Sequence, residues 1–325
     1  MAAPTTRTPS SSSSPCRLLD LITVFDNLPL DFEQKHDPYY RLILAPDARA
    51  HGYIHPNTIA RMPWPAALSV DHERRLAVVS APPAGTSLSA HAGAAFQEAV
   101  DAAIDGGVFP TLGGMHSEHF LVPGARGPVR IERFAAPLFG IGTRGAHLTA
   151  YTTAADGRLG IWVARRSRSL HTYPGMLDST VAGGVKAGDS PLDCILAESM
   201  EEASLPPSLV RSRARATGVI TMANRNPRSE LVHSEILYTY DLELSGEGDE
   251  VPRLGDDGEV EEFVLMGCQE VERRMLAGEF KTNVCAVMID FLVRHGRITP
   301  EGEPDYVEIC ARLRRRLPVP TRSDV

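Results

Sequence analysis

A glycine pair followed by an acidic helix constrains this chain more than any other stretch of it. Residues 183–205 read GGVKAGDSPLDCILAESMEEASL and place Glu198, Glu201 and Glu202 within about one helical turn of each other. Carboxylates three and four residues apart on a helix repel by about a few tenths of a kcal/mol per pair. A largely apolar segment that accepts this repulsion is suited to holding a cation. Hard oxygen donors in that number suit Mg²⁺ or Mn²⁺, and these ions in turn suit a small-molecule diphosphate.

The helix is well signalled by its own ends. Ser190 stands at the N-cap, Pro191 at the first helical position, and Asp193 completes a capping box. At about 100° per residue, Leu192, Ile195, Leu196, Ser199 and Ala203 form one stripe directed at a core. The glutamates sit beside that stripe. Glu202 lies nearest its border and is expected to be the least solvated of the three. Ahead of the helix, Ala182-Gly183-Gly184 lets the backbone come close to phosphates, because glycine has no Cβ to obstruct it.

This arrangement resembles the Nudix box: a glycine, five residues, a glutamate, seven residues, then Arg-Glu-aliphatic-x-Glu-Glu-x-Gly-aliphatic. Gly183 matches the first glycine, Asp189 stands at the first glutamate, and Leu205 matches the final aliphatic. Glu198, Glu201 and Glu202 match the metal-binding glutamates. The chain departs at Ala197, where arginine is usual, at Ser199 for the aliphatic, and at Ser204 for the late glycine. The arginine is a partner that normally orients the glutamates.

Further segments narrow the resemblance. YPGMLDSTVAGG (173–184), EEASL (201–205), YDLEL (240–244), DGEVEEF (257–263) and GEFKTNVCAVMIDFLVRHGRITPE (278–301) resemble Nudix proteins related to thiamine pyrophosphokinase. LLDLITVFDNLP and GYIHPNTIARMPW fit the extra N-terminal domain of that group, so the resemblance covers nearly the whole chain past residue 17. Ser179 stands where the group often has asparagine.

The resemblance implies an α/β (α+β) fold class: an α/β/α sandwich around a mixed sheet over 144–318, preceded by a smaller α+β domain over 17–143 and a disordered tail over 1–16. It also implies a Mg²⁺-dependent hydrolase, with Mn²⁺ as the alternative ion. The expected reaction is cleavage of oxidised or damaged thiamine diphosphates to monophosphates. An 8-oxo-dGDP-type oxidised nucleotide is the alternative substrate, and a weakly active binding protein is the second alternative. Glu198 and Glu202 would be the main metal ligands, Glu201 a further ligand or base, and the Gly183 carbonyl a backbone ligand.

Other site residues are read from residue type. Glu235, Glu259, Glu261 and Glu262 are candidate distal bases, and Glu261 is carried forward. Gly183, Gly184 and Lys186 are expected at the phosphates, with Arg165 or Arg166 as further cations. Trp162, Tyr173 and Met176 are candidates for contacting a heterocyclic ring, and His171 is a marginal one.

Composition bounds the rest. The net charge of −8 argues against nucleic-acid polymers and anionic membranes as partners. There is no run of eighteen apolar residues. Five scattered cysteines with no CxxC pair form neither a disulfide framework nor a zinc site. A cytoplasmic location as a monomer or homodimer is the simplest expectation. Organelle import is kept open by an N-terminus with Arg7 and Arg17 and no acid before Asp20. The basic run 312–316 is expected to be a solvated helix end.

Overall fold

The computed structural model describes residues 16–245 and 250–322; the expected tail over 1–16 lies, apart from Cys16, outside them. The chain opens with α1 (Leu18–Phe25) and then enters an α+β unit. That unit contains β1 (Tyr40–Leu44), β2 (Asp47–Ile54), α2 (Pro56–Arg61), β3 (Leu68–Asp71), β4 (Leu76–Val79) and α3 (Leu88–Asp105), then β5 (His119–Leu121) and β6 (Arg130–Glu132). Its first four strands form a sheet in the order β2-β1-β4-β3, in which β1 and β4 run parallel. Buried Ala92, Ala95, Phe96, Ala99, Val100 and Ala103 recur every three or four residues along α3 and share one apolar cluster with Leu42, Leu44 and Val79. β5 and β6 pair separately as an antiparallel ladder.

The second unit begins at β7 (Thr143–Thr153) and β8 (Leu159–Arg166), followed by the short β9 (Leu177–Asp178) and β10 (Val181–Gly184). Then come α4 (Pro191–Ala203), α5 (Pro207–Arg213), β11 (Arg215–Arg225), β12 (Val232–Glu243) and β13 (Val260–Gly267). Three helices close it: α6 (Cys268–Leu276), α7 (Thr282–Arg294) and α8 (Tyr306–Arg312). The sheet is mixed and runs β11-β12-β7-β8-β13, with β10 paired to β7 and β9 to β8. β7 is its axis: parallel to β12, antiparallel to β10 near its start and to β8 at its end.

Alternation along the strands feeds two cores. Ala146, Leu148, Ala150 and Leu242 join Ile195, Leu196 and Ala203 of α4 on one face. Ile161, Val163, Leu237 and Met266 join Val271, Met275 and most of α7 on the other. The result is the expected α/β/α sandwich, with the glutamate helix on one side.

Two features differ from the sequence reading. Helix α1, assigned there to the N-terminal unit, contributes Leu18 and Ile22 to the α7 core of the second. The basic run after α8 is a tether and not a solvated end. Arg315 and Asp26 are both buried and pair at 2.9 Å, and Arg314 pairs with buried Asp290 at 2.5 Å. Arginine is drawn inward here because buried carboxylates need a forked donor. No helix among the described residues is long and apolar enough to cross a membrane.

Candidate functional site

β10 and α4 meet as the sequence requires. The Ser190 hydroxyl accepts from the Asp193 amide at 3.1 Å, and the Asp193 carboxylate accepts from the Ser190 amide at 3.2 Å. The capping box thus fixes where the helix starts. Its far end turns on Ser204, which takes a left-handed φ of 51° and lets the Leu205 amide reach the Ser199 carbonyl at 2.9 Å. A Cβ on Gly183 would stand 2.3 Å from Oε1 of Glu198 and 2.5 Å from its Cγ. The missing side chain is what lets the helix carboxylate lie over the strand.

Residues 250–258 then strap the end of α4. The amides of Arg253 and Gly255 reach the carbonyls of Ala203 and Glu202 at 2.9 and 3.0 Å. Residue 259 leaves this strap at the mouth of a small pocket lined by Arg166, Asp178, Ser179, Ala182, Glu202 and Glu259.

The pocket is electrostatically unsettled. Glu202 is buried, and its only hydrogen-bond donor among the described residues is the Ala182 amide, at 3.2 Å. Burial, then the neighbouring Glu198 and Asp178, push its carboxyl well above the usual range. Glu198 is pushed up to about 7 by burial and then by Glu201, with Lys186 opposing. Asp178 differs. Burial resists its ionisation, but Lys281 at 3.4 Å and Arg166 at 3.2 Å hold it below the usual range. Behind it, buried His147 contacts the Ser179 hydroxyl at 2.7 Å, and burial takes its pKa down to about 4.

The donor set fits a hard divalent ion. Two carboxylates strained by burial and mutual charge have no ion-pair partner among the described residues, and the missing side chain at Gly183 makes room for one of them. Glu201 is exposed on the same helix beside them.

Other expected site residues fall as follows. Lys186 is exposed just past β10 and pairs with Glu118 at 3.5 Å. Trp162 is half-buried against the α4 core, and its indole N–H has no partner. Tyr173 is 40% exposed in the loop after β8, while Met176 is partly buried and His171 exposed in that same loop. Arg165 is held by Glu262 at 2.5 Å. Glu235 instead takes Asn283 of α7, at 3.3 Å.

Glu261 pairs with exposed Arg168 at 2.5 Å and is not among the residues lining the pocket. Glu259 does line it, and a register shift follows between Val260 and Glu262. Asp178 was not singled out at all; its two cationic partners, Arg166 and Lys281, reach it only through folding. One further cluster, Asp101, His116 and Glu132, could hold a metal by distance. Its atoms are already engaged: Glu132 accepts from Gln97, His116 and the Ser117 amide at 2.6–2.9 Å.

Residues 143–284 match the family model described as the NUDIX domain, so the chain carries that domain behind an N-terminal α+β region. Among curated proteins, the chain is 41% identical over 203 residues to the uncharacterized protein YJR142W of Saccharomyces cerevisiae, covering 59% of this chain and 58% of that one. It is 38% identical over 216 residues to Nudix hydrolase 20, chloroplastic, of Arabidopsis thaliana, covering 65% of this chain and 55% of that one. The chain therefore spans about half the length of the curated relatives it matches. Both alignments are longer than the NUDIX match, so each includes sequence outside it. Among solved structures, the NUDIX domain of Shewanella oneidensis NrtR complexed with ADP ribose aligns with a TM-score of 0.36 at 13% identity, over 48% of this chain and 90% of that one.

Proposed function

We propose that this protein is a Mg²⁺-dependent Nudix hydrolase that cleaves the diphosphate of oxidised or damaged thiamine diphosphates, releasing monophosphates. The observation that carries the reading is the Glu198–Glu202 pair. It is raised in pKa by burial and mutual charge, its Glu198 lies over Gly183, and no cation among the described residues forms an ion pair with it. The thiamine class rests on the segments 173–184, 201–205, 240–244, 257–263 and 278–301.

Glu198, Glu201 and Glu202 would hold the ion, with the Gly183 carbonyl as backbone donor. When bound, Mg²⁺ neutralises diphosphate charge and makes water a better nucleophile at neutral pH. Glu259 lines the same pocket as Glu202 and would take the proton of the attacking water. Asp178, which lines the same pocket, is paired with Arg166 and Lys281. Lys186 offers an exposed ammonium to a phosphate oxygen.

The test is release of phosphate and monophosphate, with Mg²⁺, from oxothiamine diphosphate, thiamine diphosphate and 8-oxo-dGDP by wild type and Glu202→Gln. Turnover of the thiamine compounds that the variant loses supports the proposal. Selective turnover of 8-oxo-dGDP keeps the site and replaces the substrate. Tight binding without turnover makes the chain a binding protein.

A further inference from the structure

We propose that Glu118, from the N-terminal unit, is a positioning residue that holds the Lys186 ammonium away from the metal carboxylates of the second unit. This rests on the reading of Glu198, Glu201 and Glu202 as the metal site.

Lys186 sits on the loop between the glycine pair and α4. A lysine is a flexible stem carrying a compact charge, and it goes to the strongest carboxylate in reach. Three compete for it. Glu118 pairs with it at 3.5 Å, and Glu198 and Glu201 also attract its charge. An ammonium on Glu198 or Glu201 would occupy the oxygens a divalent ion needs.

Glu118 is built not to move. Its other oxygen takes the Arg133 guanidinium at 2.7 Å, and its carbonyl takes the Arg133 amide at 2.8 Å. Next in sequence, the His119 carbonyl accepts the Ala187 amide at 2.8 Å, which ties the loop to β5 directly. The buried Phe120 ring closes the third contact. A Cβ on Gly184 would stand 2.6 Å from its Cζ, so only glycine lets the ring in. Three consecutive residues of the N-terminal unit therefore meet residues 184, 186 and 187. The contact fixes the loop's register as well as its charge. The N-terminal unit is on this account part of the metal site's construction and not an appended neighbour.

The test is a double-mutant cycle read by Mn²⁺ binding, using electron paramagnetic resonance of free ion on the full chain. Glu118→Gln keeps volume and frees Lys186. It should weaken Mn²⁺ binding about five-fold, the worth of one partly exposed ion pair. In a Lys186→Met background the same change should have an effect within about two-fold, because no ammonium remains to intrude. Thermal melts of all four proteins show whether each is folded, and Glu118→Asp, which keeps the charge, should recover part of the loss.

An undiminished effect in the Lys186→Met background would mean that Glu118 acts only through its own field, and would overturn the proposal. So would unchanged affinity in Glu118→Gln. If wild type binds Mn²⁺ no better than Glu202→Gln, the metal-site reading itself fails, and this inference with it.

Discussion

Replacing Glu198 by glutamine in the metal-free protein removes a charge that the fold resists. Burial, with Glu201 beside it, raises the Glu198 carboxyl from 4.5 to about 7. A carboxyl raised on folding keeps a proton that the unfolded chain has already released. The contribution of this group to stability is therefore greatest below pH 4.5 and falls as pH rises toward 7. At about 1.36 kcal/mol per pH unit, the loss reaches about 3 kcal/mol by pH 8. That is an upper figure, since part of the carboxyl still meets water.

Glutamine fills the same space without a proton to lose. In EDTA at pH 8, Glu198→Gln should be more stable than wild type by up to about 3 kcal/mol, roughly 6–12 °C in Tm for a domain of this size. Near pH 4.5 the two should melt together. Adding Mg²⁺ should reverse the order at pH 8, because an ion that binds only the folded wild type stabilises it by mass action. Thermal denaturation at both pH values, with and without Mg²⁺, reads all four corners. A variant no more stable than wild type at pH 8 in EDTA would refute the reasoning, as would an advantage that is the same at pH 4.5. The first would mean that some cation of the chain already compensates Glu198, the second that the gain does not come from its charge.

Gly183→Ala should leave the fold intact at a cost of about 1–3 kcal/mol and abolish tight Mn²⁺ binding, since the added Cβ meets Glu198 at 2.3 Å; calorimetric titration beside a melt separates the two effects. Binding of Mg²⁺ at pH 7 should release protons, because Glu202 lies well above the usual range and Glu198 near 7; identical heats in buffers of different ionisation enthalpy would contradict this. His147, taken down to about 4 by burial, should stay neutral from pH 5 to 8; a ring resonance titrating near 6.5 in an NMR series would show the opposite. Arg315→Met should destabilise by about 3 kcal/mol by removing the short pair to buried Asp26 and leaving it the longer Arg312 contact at 3.7 Å; chemical denaturation measures it, and a change under 1 kcal/mol would show the Arg315 pair to be dispensable.

What could be read from the sequence, and what could not, divides by the distance over which each residue finds its partner. The capping box, the apolar stripe and the rank of Glu202 as the most buried glutamate all follow from contacts within about one or two turns of α4. Each is present in the structure. Choosing among four distal carboxylates was a different problem. Glu259 and Glu261 are two residues apart, and alternation would place them on one face. What separates them is a backbone strap to the end of α4 and a shift of register in β13. Neither leaves a local pattern.

The N-terminal unit was invisible to site reasoning for the same cause. Glu118 stands in a segment with no motif, and its meaning comes from Lys186 and Arg133, both brought to it by folding. Ser204 carries the argument one step further. It takes a left-handed φ of 51° where the Nudix pattern has glycine, a conformation unfavourable for a residue with a Cβ. The strap lends it support: the Ser204 hydroxyl donates to the Leu254 carbonyl at 3.1 Å. The same strap delivers Glu259 to the pocket. The departure at 204 and the presence of residue 259 in the pocket lining are thus two consequences of one loop, and a variant that detaches it should disturb both together.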